Sequence, residues 1–187
     1  MPVDKQVRLV RLTVILAAVL LMTAGALAFG ALAHLDSLQL KWASPNQIER
    51  VRIDMTNSAW TEAVSGAVVG LIAVLLFRPS AKVRTAVWVV APFVALMTLC
   101  FLVGGPEWAV APTGEEPPEV RAEYEQIVPA WYAWPHGITA LLAAALLVFA
   151  AAFLARSDLR EYFMDAGYDP NRPYTSWVDR TGGGGGA

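Results

Sequence analysis

Ionisable side chains are what this sequence withholds from its long apolar runs. Stretches 12–33, 60–77, 85–103 and 136–155 hold no Asp, Glu, Lys, Arg or His away from their ends. Proton-coupled carriers and charge-lined channels keep such groups inside the membrane despite their cost. Here the interiors offer only Thr13, Thr23, Ser65, Thr98 and Thr139 as polar side chains. The broken helices typical of secondary transporters are also missing, apart from a single interruption at Pro92. Transport by this chain alone is therefore disfavoured.

Other shortages exclude other classes. The 1 cysteine, Cys100, cannot close an intrachain disulfide, and no Cys/His spacing resembles a zinc site. No nucleophile elbow, phosphate loop or metalloprotease helix occurs, so no motif argues for an enzyme. Net charge is −2 and no long basic run exists, which gives no reason to expect nucleic acid as a partner. Lysine is confined to Lys5, Lys41 and Lys82 while alanine and arginine abound. That is a codon bias, and it suggests a high-GC bacterium.

Apolar length is what the chain has. Of its 187 residues, 56% are hydrophobic and 16% charged, and the charges cluster between the runs. About 18 or more apolar residues suffice to cross the hydrocarbon core as a helix. The expected fold is all-α: a four-helix transmembrane bundle, up-down-up-down, with two short amphipathic helices in the outer loops. Its expected partner is the lipid bilayer, and its expected place is the plasma membrane.

The basic turn 78–84, with Arg78, Lys82 and Arg84, fixes the sidedness, because Lys and Arg of short loops are retained in the cytoplasm. Residues 1–11 (Lys5, Arg8, Arg11) and the tail 156–187 (Arg156, Arg160) then lie on the same side, so both termini are cytoplasmic. The first run, 12–33, resembles a signal peptide in its basic start and small-x-small endings. It is longer than the about 7–15 residues of a signal core, and reads as a retained helix. The tail is expected to be disordered from about residue 168, and the glycine run 182–186 resembles an added tail foreign to the protein.

The outer loops, 34–59 and 104–135, differ in style. In the first, Ser44, Pro45 and Gln47 read as a capping box that opens a short helix, with Ile48, Val51 and Met55 on one face. Asn57 or Ser58 then caps the second span, and Glu62 lies near its outer end within reach of water. The second loop is acidic. Pro117-Pro118 opens a helix lined by Val120, Tyr124, Ile127 and Val128, followed by the aromatic cluster 131–134 at the membrane boundary.

Candidate sites follow from these placements. His34 ends the first span and His136 begins the fourth, and first and fourth helices of an up-down bundle are neighbours. The two imidazoles are thus candidate ligands for a metal or an outer-face haem, with Asp36 or a glutamate of the acidic loop assisting, although no metal-type spacing supports them. No cofactor is expected on sequence grounds. Glu115, Glu116, Glu119, Glu123 and Glu125 form a candidate surface for a basic membrane or extracytoplasmic protein partner, and they lack the ligand pattern of a calcium loop. Gly66 and Gly70 have the spacing of close helix packing, within one bundle or across a dimer. Cys100 reads as an apolar filler, and Tyr162 with Phe163 as an anchor at the inner interface. Together these features describe a small membrane protein of accessory or scaffold type. The alternatives are a redox module on His34 and His136, or a carrier of an uncharged or lipidic solute.

Overall fold

The computed structural model describes residues 3–78, 80–106 and 117–165. Expectations for Glu115, Glu116 and the tail from 166 lie outside the described residues. Within them every regular element is a helix: α1 (Val3–Ser37), α2 (Pro45–Leu75), α3 (Ala81–Val103), α4 (Pro118–Ile127), α5 (Ala130–Leu154) and α6 (Ser157–Asp165). Four of these, α1, α2, α3 and α5, are long and apolar enough to cross a membrane. At about 1.5 Å per residue, the 35 residues of α1 extend well beyond a hydrocarbon core of about 30 Å.

Two boundaries differ from the sequence expectation. The loop expected over 34–59 shrinks to the connection 38–44, because α2 runs unbroken from Pro45 through Trp60. No glycine or proline interrupts residues 46–65. A buried stripe at Val51, Met55, Ser58, Glu62, Gly66 and Val69 keeps three-to-four-residue spacing across the expected break. Asn57 and Ser58 are therefore helix-interior residues, not caps. Likewise α5 begins at Ala130 and continues through Pro135, so His136 stands inside a helix and not at its start. That proline removes one backbone donor, the one that would reach the carbonyl of Trp131.

The capping box at Ser44 does not form either. Ser44 is the N-cap, but its side chain makes no cap hydrogen bond. Gln47 instead accepts a hydrogen bond from the hydroxyl of Tyr124 at 2.8 Å, tying α2 to α4. A side-chain cap does appear at Ser80, whose hydroxyl accepts from the Val83 N–H at 3.2 Å and starts α3 after the basic turn.

Helix α1 is the hub, packed against α2 and α5, while α3 packs mainly on α5 and touches α2 sparingly. Glycine makes the α1–α2 contact possible. A Cβ on Gly25 would meet the Ala63 N at 3.1 Å and the Ala59 carbonyl at 3.2 Å. On Gly66 it would meet the Met22 side chain at 2.8 Å. Gly70 is looser, with the Ala18 Cβ at 3.9 Å. The close approach of Gly66 is thus made within the chain. Arg11 donates from Nε to the Leu76 carbonyl at 2.9 Å, and Arg84 to that of Leu154 at 3.1 Å. These two cations thereby cap the carbonyl ends of α2 and α5.

The core divides in two. One apolar cluster runs from Val7 and Val10 through Leu21, Ile72, Val94 and Leu147 to Leu159 and Phe163. The second gathers Ala28, Leu35, Met55, Ala59, Tyr124, Ile127 and Tyr132 at the opposite end. Phe163 and Leu159 are fully buried in the first of these clusters, so α6 belongs to the core, not to an interfacial anchor. Tyr132 is likewise buried within the aromatic run, while Trp131 and Trp134 stay exposed.

Candidate functional site

Four buried side chains with polar atoms, two on α2 and two on α5, come together. Ser58 and Glu62 are four apart on α2, and Tyr132 and His136 four apart on α5, so each pair shares one helix face. Ser58, Glu62 and His136 are each 2% exposed and Tyr132 is 0% exposed. His136 Nε2 lies 2.9 Å from Glu62 Oε1 and 3.4 Å from Ser58 Oγ. The Tyr132 ring stacks on the imidazole at 4.8 Å between centroids with 29° between planes. Gly25 brings α1 against Ala59 and Ala63 on the same turn of α2.

Glu62 is buried, not within reach of water as its position in the sequence suggests. The reason is that α2 and α5 extend beyond the apolar runs. With α2 and α5 extended, the carboxylate and the imidazole fall on buried stripes. Nε2 and Oε1 at 2.9 Å cannot both be bare acceptors, so a proton lies between them: N–H donating to a carboxylate, or O–H donating to the ring. The second carboxyl oxygen, Oε2, has no hydrogen-bond partner among the described residues. Buried groups of this kind are expensive unless paired, and stripping one partner from such a pair costs about 3–5 kcal/mol.

The two histidines have different partners. The His34 ring meets the Trp131 ring edge-on at 5.9 Å, while His136 takes Glu62. Asp36 pairs with Arg52 at 2.9 Å, in a half-exposed bridge between α1 and α2. Among the described residues no three His, Cys, Asp or Glu side chains are grouped as a metal site. What the sequence did not reveal was Glu62 as the neighbour of His136. The usable signal was the stripe 51, 55, 58, 62, 66, which continues in register past Trp60.

The acidic candidates also separate. Glu119 and Glu125 are exposed on α4. Glu123 turns inward and accepts backbone N–H groups from Lys41 at 2.8 Å, Trp42 at 2.8 Å and Ala43 at 2.7 Å. Desolvation raises its pKa, but the three N–H donors and the Lys41 charge together outweigh it. The carboxyl is left below the ordinary glutamate value. Glu123 is an internal staple for the 38–44 connection, and it is spent there.

On the outer faces, one groove between α1 and α2 of about 540 Å³ is lined by Ala18, Met22, Thr23, Gly66, Ala67 and Gly70 among others. A second, between α2 and α3, of about 310 Å³, is lined by Trp60, Thr61, Ser65, Phe93 and Met97 among others. Neither has an ionisable wall. Cys100 is exposed on α3. No protein-family model, no curated protein and no solved structure matches the chain.

Proposed function

We propose that the chain is a plasma-membrane protein of non-enzymatic accessory or scaffold type, in a bacterium. Its four apolar helices cross the bilayer up-down-up-down. Both termini and the 78–84 turn are cytoplasmic, and the cap formed by 38–44, the start of α2 and α4 is extracytoplasmic. In this reading the cap's acidic residues, Glu115, Glu116, Glu119 and Glu125, meet a basic protein partner.

One observation carries the proposal: where the described polar groups are engaged, they are spent on the fold itself. Glu62 takes His136, Glu123 takes the 41–43 backbone, and Arg11 and Arg84 take helix-end carbonyls. Left for the surroundings are large apolar side chains such as Leu71, Val74, Phe93 and Leu96, with acids at the cap. Such a surface suits packing against lipid and protein, not turnover of a substrate.

Mild-detergent extraction from the native membrane tests it. The native chain should migrate as a larger complex than the same chain purified alone. The combined variant Glu115→Gln, Glu116→Gln, Glu119→Gln, Glu125→Gln should insert normally and lose much of that complex. Identical migration of native and isolated protein, or a complex indifferent to the four substitutions, would defeat the proposal.

A further inference from the structure

We propose that the α1–α2 groove, with the arginines at its inner end, binds one anionic phospholipid of the cytoplasmic leaflet. The phosphate lies among Arg8, Arg11 and Arg78, and an acyl chain runs along the groove. This rests on the membrane-spanning reading above and names the lipid that the spanning chain selects.

The groove, of about 540 Å³, lies where the two helices carry small side chains: Ala18 and Ala26 on α1, Gly66, Ala67 and Gly70 on α2. That volume falls within the range of about 300–1,000 Å³ of sites that take ligands of drug size. The hydroxyl of Thr23 on its wall donates to the Val19 carbonyl at 2.9 Å, which leaves a lining suited to hydrocarbon.

Toward the basic turn the groove ends on cations. Exposed residues of α1 recur at Arg8, Leu12, Ile15, Val19, Met22 and Ala26, three or four apart, so Arg8 shares a face with the groove wall. Arg11 is positioned from α2. Its Nε donates to the Leu76 carbonyl at 2.9 Å, and its guanidinium stands 5.0 Å from the centre of the Phe77 ring. Arg78 follows, exposed, with its backbone N–H on the Leu75 carbonyl at 2.9 Å. A guanidinium is a planar fork of five N–H donors. Arg11 spends its Nε on the helix end, and the Nη edge of such a fork suits a phosphate.

The lengths match a single leaflet. Measured from Arg11, residues 18–26 lie about 10 to 22 Å along α1 at about 1.5 Å per residue. Half of a hydrocarbon core of about 30 Å is about 15 Å. A lipid whose phosphate meets the arginines therefore lays its tail in the groove. Charge selects the headgroup. Segments 1–11 and 78–84 hold Lys5, Arg8, Arg11, Arg78, Lys82 and Arg84 against Asp4. The cytoplasmic leaflet is the one rich in anionic lipids. A zwitterionic lipid offers the same tail without net charge, so discrimination falls to the arginines.

Native mass spectrometry of the full chain, released from nanodiscs of equal phosphatidylglycerol and phosphatidylcholine, tests this. Each chain should retain a phosphatidylglycerol, preferred over phosphatidylcholine by about tenfold. Arg8→Gln with Arg78→Gln should remove most of that preference. Lys82→Gln with Arg160→Gln, the same loss of charge on α3 and α6, should leave it. Ala67→Phe fills the groove from an exposed position without changing charge, and should lower phosphatidylglycerol retention. Equal retention of the two lipids, equal effects of the two charge variants, or full retention in Ala67→Phe would each overturn the proposal. So would a native extract in which the arginine variant loses a bound protein chain and no lipid. A chain that stays in solution without detergent would defeat the membrane reading itself. One that enters nanodiscs and shows no headgroup preference defeats the lipid site alone. If Ala67→Phe does not fold, the arginine variant and its control decide.

Discussion

At the scale of single residues, burial decides which polar groups matter, and it reverses two assignments that sequence position suggests. Glu62 stands two residues from an expected span end and proves buried; Glu123 is one of several loop acids and proves to be taken up by the backbone of 41–43. The Glu62–His136 pair makes an energetic prediction. Glu62→Ala or His136→Ala alone should destabilise the protein by about 3–5 kcal/mol, each leaving its partner alone in an apolar site. Changing both to apolar residues of similar size should recover most of that loss, as a thermal-melt double-mutant cycle in detergent would show. Additive losses would mean that the two groups do not share their proton. For Glu123 the sign follows from its depressed pKa. Its contribution is present in full above the ordinary carboxylate value and is lost as pH falls through the lower value in the folded protein. Amide exchange at Lys41, Trp42 and Ala43 should therefore accelerate on acidification relative to neighbouring amides, corrected for intrinsic exchange. Glu123→Gln should show fast exchange already at neutral pH.

At the scale of elements, α2 carries the largest difference between expectation and structure. A two-part reading, short helix then span, became one helix of 31 residues, because nothing breaks the chain after Pro45 and the buried stripe stays in phase. The α1–α2 contact supplies a graded test of packing. Gly25→Ala sets a methyl against backbone atoms at 3.1 and 3.2 Å, and backbone within a packed pair cannot step aside. Gly66→Ala presses mainly on the flexible Met22 side chain, with the Met22 N at 3.1 Å behind it. Gly70→Ala has ordinary room at 3.9 Å and gains helix propensity worth up to about 1 kcal/mol. Melting temperatures should fall most for Gly25→Ala, less for Gly66→Ala, and stay level or rise for Gly70→Ala. A large loss at Gly70 with none at Gly25 would contradict the observed helix approach.

At the scale of the whole molecule, the two apolar clusters meet at the polar seam, while the cations Arg11 and Arg84 close the opposite end. The proposed orientation is open to direct labelling. In a Cys100→Ser background, Glu119→Cys should react with an impermeant maleimide on intact cells, and Lys82→Cys only after lysis. The reverse pattern would invert the topology. Reaction of both on intact cells would remove the transmembrane reading of the intervening helices.

Composition and run length by themselves determined the all-helical class and the four apolar helices, because hydrocarbon-length segments without charge have few other stable states. Turn chemistry at Pro117-Pro118 was equally readable, and α4 starts there. Tertiary structure alone decided that Glu62 faces His136, that Gly25 with Gly66 makes the α1–α2 contact, and that Glu123 clasps residues 41–43. Each of these joins residues far apart in sequence, and each depends on where a helix begins and how it is rotated about its axis. A shift of a few residues in one boundary moves a carboxylate from water to the core, and no local pattern fixes that shift.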